Sequence, residues 1–122
     1  MIPRLPRGLY VITDPDYCAV MGLENSVSAA IFGGARIVQY RAKNSTAEQR
    51  LREARVVRLL THRHAVSCIV NDDPELAAAI DADGVHLGRD DADPGTAHAL
   101  LGADAIVGIS CYDSLERARD AQ

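Results

Sequence analysis

The amino-acid sequence predicts an α/β domain built on a parallel sheet, and three observations carry that expectation. Short apolar runs alternate with helix-like segments in the order βαβαβαβαβα, the pattern of strands joined by crossover helices. The strand-like runs are nearly continuous in apolar residues, as suits a sheet covered on both faces. Polar residues gather just past the C-terminal ends of those runs, the edge at which parallel α/β folds place their ligands.

Gly8-Leu9-Tyr10-Val11-Ile12-Thr13-Asp14 reads as a short strand closed by an Asp-Pro turn. Val27, Ala30 and Ile31 recur at helical spacing over 26–32, and Gly33-Gly34 ends that helix. Ile37-Val38-Gln39-Tyr40-Arg41-Ala42-Lys43 follows as a second strand. Thr46 with Gln49, or Ser45 with Glu48, forms a capping box that opens a helix to about residue 64. Ser67–Asn71 is a third strand, after which Asp73 caps a helix over 74–80 with Pro74 at its first position. Strands over 84–88 and 105–110 flank a short helix over 96–100, and Asp113 with Glu116 caps a last helix. Nothing along the chain reads as a linker, a low-complexity tract or a fixed repeat, so residues 1–122 are expected to form a single domain.

Composition narrows the function classes. The 122 residues are 48% hydrophobic and 25% charged with a formal net charge of −4, which fits a globular domain and argues against nucleic acid as a partner. No apolar run is long enough to span a bilayer, and the N-terminus lacks the apolar middle of a signal peptide. Cys18, Cys68 and Cys111 are odd in number with no CxxC pair. They read as reduced thiols in a cytoplasmic protein, with neither a disulfide framework nor a zinc site.

The organising stretch is the second strand. Residues two apart on a strand share a face, so Gln39, Arg41 and Lys43 project together. Two cations and an amide make a poor core but suit a polyanion such as a pyrophosphate. Thr13-Asp14, Asn71-Asp72, the segment from Gly88 to Asp91, and Ser110 lie at the same edge. Helix capping accounts for any one of them, but not for all of them at one edge. Asp72 and Asp91 follow adjacent strands, and two carboxylates plus phosphate oxygens are a usual way to hold Mg²⁺. Asn71 and Ser110 can hydrogen-bond a heterocycle or a phosphate. No general base and no nucleophile–His–carboxylate order can be read. The chemistry suggested is departure of a diphosphate, with the protein supplying charge and positioning. His86, between Val85 and Leu87, reads as a buried, satisfied histidine facing away from both. His62 and His64 read as helix C-terminal residues and His98 as a surface one.

The first strand run, Gln39-Tyr40-Arg41-Ala42-Lys43, Ile69-Val70-Asn71-Asp72, Ala82-Asp83-Gly84-Val85-His86-Leu87-Gly88 and Gly108-Ile109-Ser110 together resemble the thiamine-phosphate synthase family, in its order and spacing. The resemblance implies a (β/α)8 TIM barrel that joins hydroxymethylpyrimidine diphosphate to thiazole phosphate with Mg²⁺, releasing pyrophosphate. It places Gln39, Arg41 and Lys43 in the pyrimidine-diphosphate segment, Asn71 and Ser110 among the substrate contacts, and Asp72 and Asp91 on the metal. Two departures stand out: Arg89 where the family commonly has Gln, and Cys111-Tyr112 in place of a small residue and a His.

A barrel of this type takes at least roughly 200 residues. The chain is therefore expected to be an incomplete barrel, about the first five β/α units, with little or no synthase activity by itself. Its open sheet edges favour association, as a homo-oligomer or with a missing C-terminal half. Two other readings are a thiazole tautomerase-like barrel, which would not need Arg41, Lys43, Asp72 and Asp91, and a non-catalytic half-barrel that associates through those edges.

Overall fold

The computed structural model describes residues 5–90 and 93–122. Five strands, β1 (Leu9–Ile12), β2 (Ala35–Tyr40), β3 (Ser67–Asn71), β4 (Gly84–Leu87) and β5 (Ile106–Ile109), form one sheet in sequence order. Every neighbouring pair is parallel. The crossovers are helical: α1 (Pro15–Met21) and α2 (Leu23–Phe32), then α3 (Ala47–Arg63), α4 (Pro74–Ala79) and α5 (Pro94–Leu101), with α6 (Leu115–Asp120) after β5.

Alternation along the strands separates two faces. Val38 and Tyr40 of β2, Cys68 and Val70 of β3, and Val85 and Leu87 of β4 enter one hydrophobic cluster with Val27, Ala54, Val57, Leu60, Leu76, Ala77 and Ala97 from the helices. Val38, Val57, Val70 and Val85 are at most 1% exposed, a burial that stabilises by roughly 1.5–3 kcal/mol each. Cys68 lies in this layer, and burial pushes its thiol up to about 11, leaving it an inert apolar group. The opposite face carries Ile37, Gln39, Ile69, Asn71, His86 and Gly108, aligned across strands by the registers Gln39–Ile69, Ile69–Gly84, Asn71–His86 and His86–Gly108.

Side-chain caps fix where the helices begin. Thr46 accepts from the Gln49 N–H at 3.1 Å, which settles the capping-box choice for α3. Asp73 and Asp93 accept from Leu76 and Thr96, each with proline at the first helical position. The Asp93 carboxyl is held below the usual carboxylate range by the Thr96 backbone and side-chain hydrogen bonds.

Several expectations are corrected. The second strand, read over 37–43, runs Ala35–Tyr40, so Arg41 and Lys43 lie just beyond its end. Asp14-Pro15 is not only a turn but the cap and first residue of α1, a seven-residue helix whose Tyr17, Val20 and Met21 recur at helical spacing yet stay exposed. The helix read as 26–32 starts at Leu23, and α5 starts at Pro94 rather than residue 96. The cap of α6 is Ser114, accepting from the Arg117 N–H at 3.2 Å, and not Asp113. No described helix is long and apolar enough to cross a membrane.

Candidate functional site

The strands end in loops at one edge of the sheet, and backbone hydrogen bonds carry the ladder one residue past them. Thr13 N–H donates to the Gln39 carbonyl, Asp72 N–H to the His86 carbonyl, and Ser110 N–H to the Leu87 carbonyl. These bonds register the first loop residue of each strand against its neighbour.

Around this edge lies a cleft of about 490 Å³ whose lining includes Gln39, Arg41, Lys43, Asn71, Asp72 and Ser110. Six residues nominated from the sequence therefore share one hollow, although they come from the ends of three strands. Asp91, the seventh, lies outside the described residues. Lys43 Nζ is 3.9 Å from the Asp72 carboxylate, a long and half-solvated ion pair. Asp72 adopts the left-handed region at φ +66°, a conformation that asparagine and aspartate tolerate better than most residues. Among the described residues no group of three or more His, Cys, Asp or Glu side chains could hold a metal by itself.

Four further residues belong to this region and were not nominated as site residues from the sequence. Tyr10 OH meets Gln39 Nε2 at 2.9 Å, fixing an amide that is only 3% exposed. Burial holds the Tyr10 phenol above its ordinary value, partly offset by that hydrogen bond, so it remains neutral. His86 lies on the face opposite Val85 and Leu87 as expected, but its partner is the nominated Ser110, with Nε2 2.8 Å from Oγ. A Cβ at Gly108 would stand 2.6 Å from His86 Nδ1, so glycine there leaves room for the ring. Tyr112 closes one side of the cleft.

Thr13 is 5% exposed and its Oγ1 accepts from the Arg41 N–H at 3.0 Å. This bond anchors the backbone from which the Arg41 side chain projects. Thr13→Val keeps the shape but orphans that N–H, and is expected to cost about 1–3 kcal/mol. Faster amide exchange at Arg41, measured by hydrogen–deuterium exchange, checks it; unchanged protection would contradict the anchoring role.

A larger, more apolar hollow of about 870 Å³ continues along the same sheet face toward β5, sharing Tyr10 and His86 with the cleft and adding Ile69, Ile106 and Gly108. Cys111, half-buried with Sγ 3.6 Å from the Ile109 carbonyl, does not line the cleft.

Fold and cleft define a parallel α/β domain whose strand C-terminal edge presents two cations, a carboxylate and neutral hydrogen-bonding groups to one ligand space. Residues 9–122 match the thiamine monophosphate synthase family, and the chain belongs to it. It is 51% identical over 121 residues to thiamine-phosphate synthase of Chromobacterium violaceum, covering 99% of this chain and 58% of that protein. The thiamine-phosphate synthase of Marinobacter nauticus is also 51% identical, over 97% of this chain and 53% of its own length. Among solved structures, thiamine phosphate pyrophosphorylase from Pyrococcus furiosus superposes with a TM-score of 0.80 at 35% identity, covering 92% of this chain and 53% of that one. The chain thus spans about half the length of these relatives.

Proposed function

We propose that the chain carries the diphosphate-binding part of a thiamine-phosphate synthase, the enzyme that joins hydroxymethylpyrimidine diphosphate to thiazole phosphate and releases pyrophosphate. The observation that carries this reading is the convergence of Gln39, Arg41, Lys43, Asn71, Asp72 and Ser110 on one cleft. Arg41 and Lys43 would bind the diphosphate and stabilise the charge that builds as it leaves. The neutral groups deeper in the cleft, Gln39 held by Tyr10 and Ser110 held by His86, would orient the heterocycle. Positioning and charge stabilisation would do the chemistry.

The donor set fits Mg²⁺, which keeps waters and phosphate oxygens and takes only one or two protein carboxylates. Asp72, held at the cleft by its N–H to the His86 carbonyl, would be one ligand, and Asp91, which follows β4 in the sequence, the other. When bound, the ion would neutralise phosphate charge as the diphosphate departs. We further propose that the five strands are the first β/α units of a (β/α)8 barrel acting in the cytoplasm. The sequential parallel order and the hollow on the sheet face opposite the helix-packed core support the barrel.

A test follows from the share of the relatives that the chain spans. Pyrophosphate release from the pyrimidine diphosphate, on addition of thiazole phosphate and Mg²⁺, is expected to be slight for this chain alone. It should appear when the chain is co-expressed with the C-terminal half of the Chromobacterium violaceum relative. Silence in a complex shown to be assembled would contradict the reading.

A further inference from the structure

Arg89 and Tyr112 lie far apart in the sequence yet touch in the fold. The Arg89 guanidinium carbon stands 4.7 Å from the Tyr112 ring centroid, and that of Arg117 stands 5.8 Å from it. Three segments thus converge: the loop after β4, the loop after β5, and α6. Tyr112 lines the cleft, as does Gly88, the residue preceding Arg89. Among the described residues neither arginine forms an ion pair.

How a cation is held decides what it can still do. A carboxylate partner orders an arginine but cancels its field, whereas an aromatic face orders it and leaves its full charge in place. On a chain of formal net charge −4, two ordered cations beside a polar cleft are a local attraction for anions. Arginine is also the side chain whose planar fork best matches phosphate oxygens.

We propose that Arg89, Tyr112 and Arg117 form an outer cationic wall of the cleft that takes phosphoryl oxygens of the incoming organic diphosphate. The wall supplements Arg41 and Lys43 and determines how strongly this chain selects a doubly phosphorylated ligand. The proposal rests on the reading of the cleft as a diphosphate site.

The experiment is calorimetric titration of inorganic pyrophosphate, with Mg²⁺ present, into the whole chain at low and at high NaCl. Arg89→Gln and Arg117→Gln are each expected to weaken binding by about three- to tenfold at low salt. The difference should shrink at high salt, where exposed charges are screened. Tyr112→Leu preserves net charge and is expected to weaken binding similarly, because both arginines lose their support. Arg52→Gln, an exposed α3 position, controls for net charge and should stay within about twofold of wild type. If Arg89→Gln and Arg117→Gln match Arg52→Gln while Arg41→Ala loses binding, the outer wall is refuted and the inner site stands. If Arg41→Ala binds normally while the other two lose affinity, the wall does not serve this site. Absence of binding by the wild-type chain overturns both readings.

Discussion

Gly84→Ala is expected to cost at least about 3 kcal/mol, the upper end of ordinary overpacking penalties, because the obstacle is backbone. A Cβ at this position would overlap the Ile106 carbonyl oxygen and stand 2.7 Å from its carbonyl carbon. Flexible side chains can move aside, but a paired strand moves only with its neighbours. Gly84 pairs with Ile69 on one side and Ile106 on the other, so relief at one edge disturbs β3, β4 and β5 together. A loss of that size is a large part of the roughly 5–15 kcal/mol that holds a domain folded. Urea unfolding followed by circular dichroism measures it, with Gly33→Ala as the control. Gly33 sits in the αR region and its Cβ would meet nothing closer than 3.4 Å, so that variant should unfold near the wild-type midpoint. A Gly84→Ala midpoint equal to that of Gly33→Ala would contradict the packing described for β4 and β5.

Arg41→Ala is expected to weaken pyrimidine-diphosphate binding by roughly 10- to 100-fold, the scale of a lost charged hydrogen bond of about 1.5–3 kcal/mol. The side chain is exposed and lines the cleft, so its removal should leave stability nearly unchanged. Arg41→Lys keeps the charge but not the planar fork, and should recover only part of the affinity. Recovery to the wild-type value would mean that charge alone matters at this position. A loss of folding in Arg41→Ala would instead make it a structural residue, contrary to the role assigned here.

The fold was legible because each strand run is apolar, short and bounded by residues with unambiguous turn or cap chemistry. Asp73-Pro74 and Thr46 with Gln49 mark helix starts that the structure reproduces. What was not read was α1: Tyr17, Val20 and Met21 recur at i, i+3 and i+4, but over seven residues that pattern is too short to separate from a loop after the Asp14-Pro15 turn signal. The cleft was legible for a related reason. Parallel sheets put their strand ends at one edge, so Gln39 on β2, and Arg41 and Lys43 just beyond its end at Tyr40 rather than on the strand as read, meet Asn71, Asp72 and Ser110. Tyr10 could not be found that way. It reaches Gln39 diagonally, since β1 pairs Tyr10 with Ile37 after a register shift between Leu9 and Tyr10. His86 carried a usable signal, since its alternation with Val85 and Leu87 puts it on the Asn71 face. Its apolar flanks favoured a core reading, whereas its partner is Ser110 of the cleft.

The central claim is that this chain assembles a diphosphate site from its own strand ends. The most direct measurement is calorimetric titration of hydroxymethylpyrimidine diphosphate into the purified, folded chain, with and without Mg²⁺. Saturable binding that strengthens with Mg²⁺ and is lost in Asp72→Ala is the predicted result. A chain that is folded by circular dichroism yet takes up no diphosphate under either condition would contradict it.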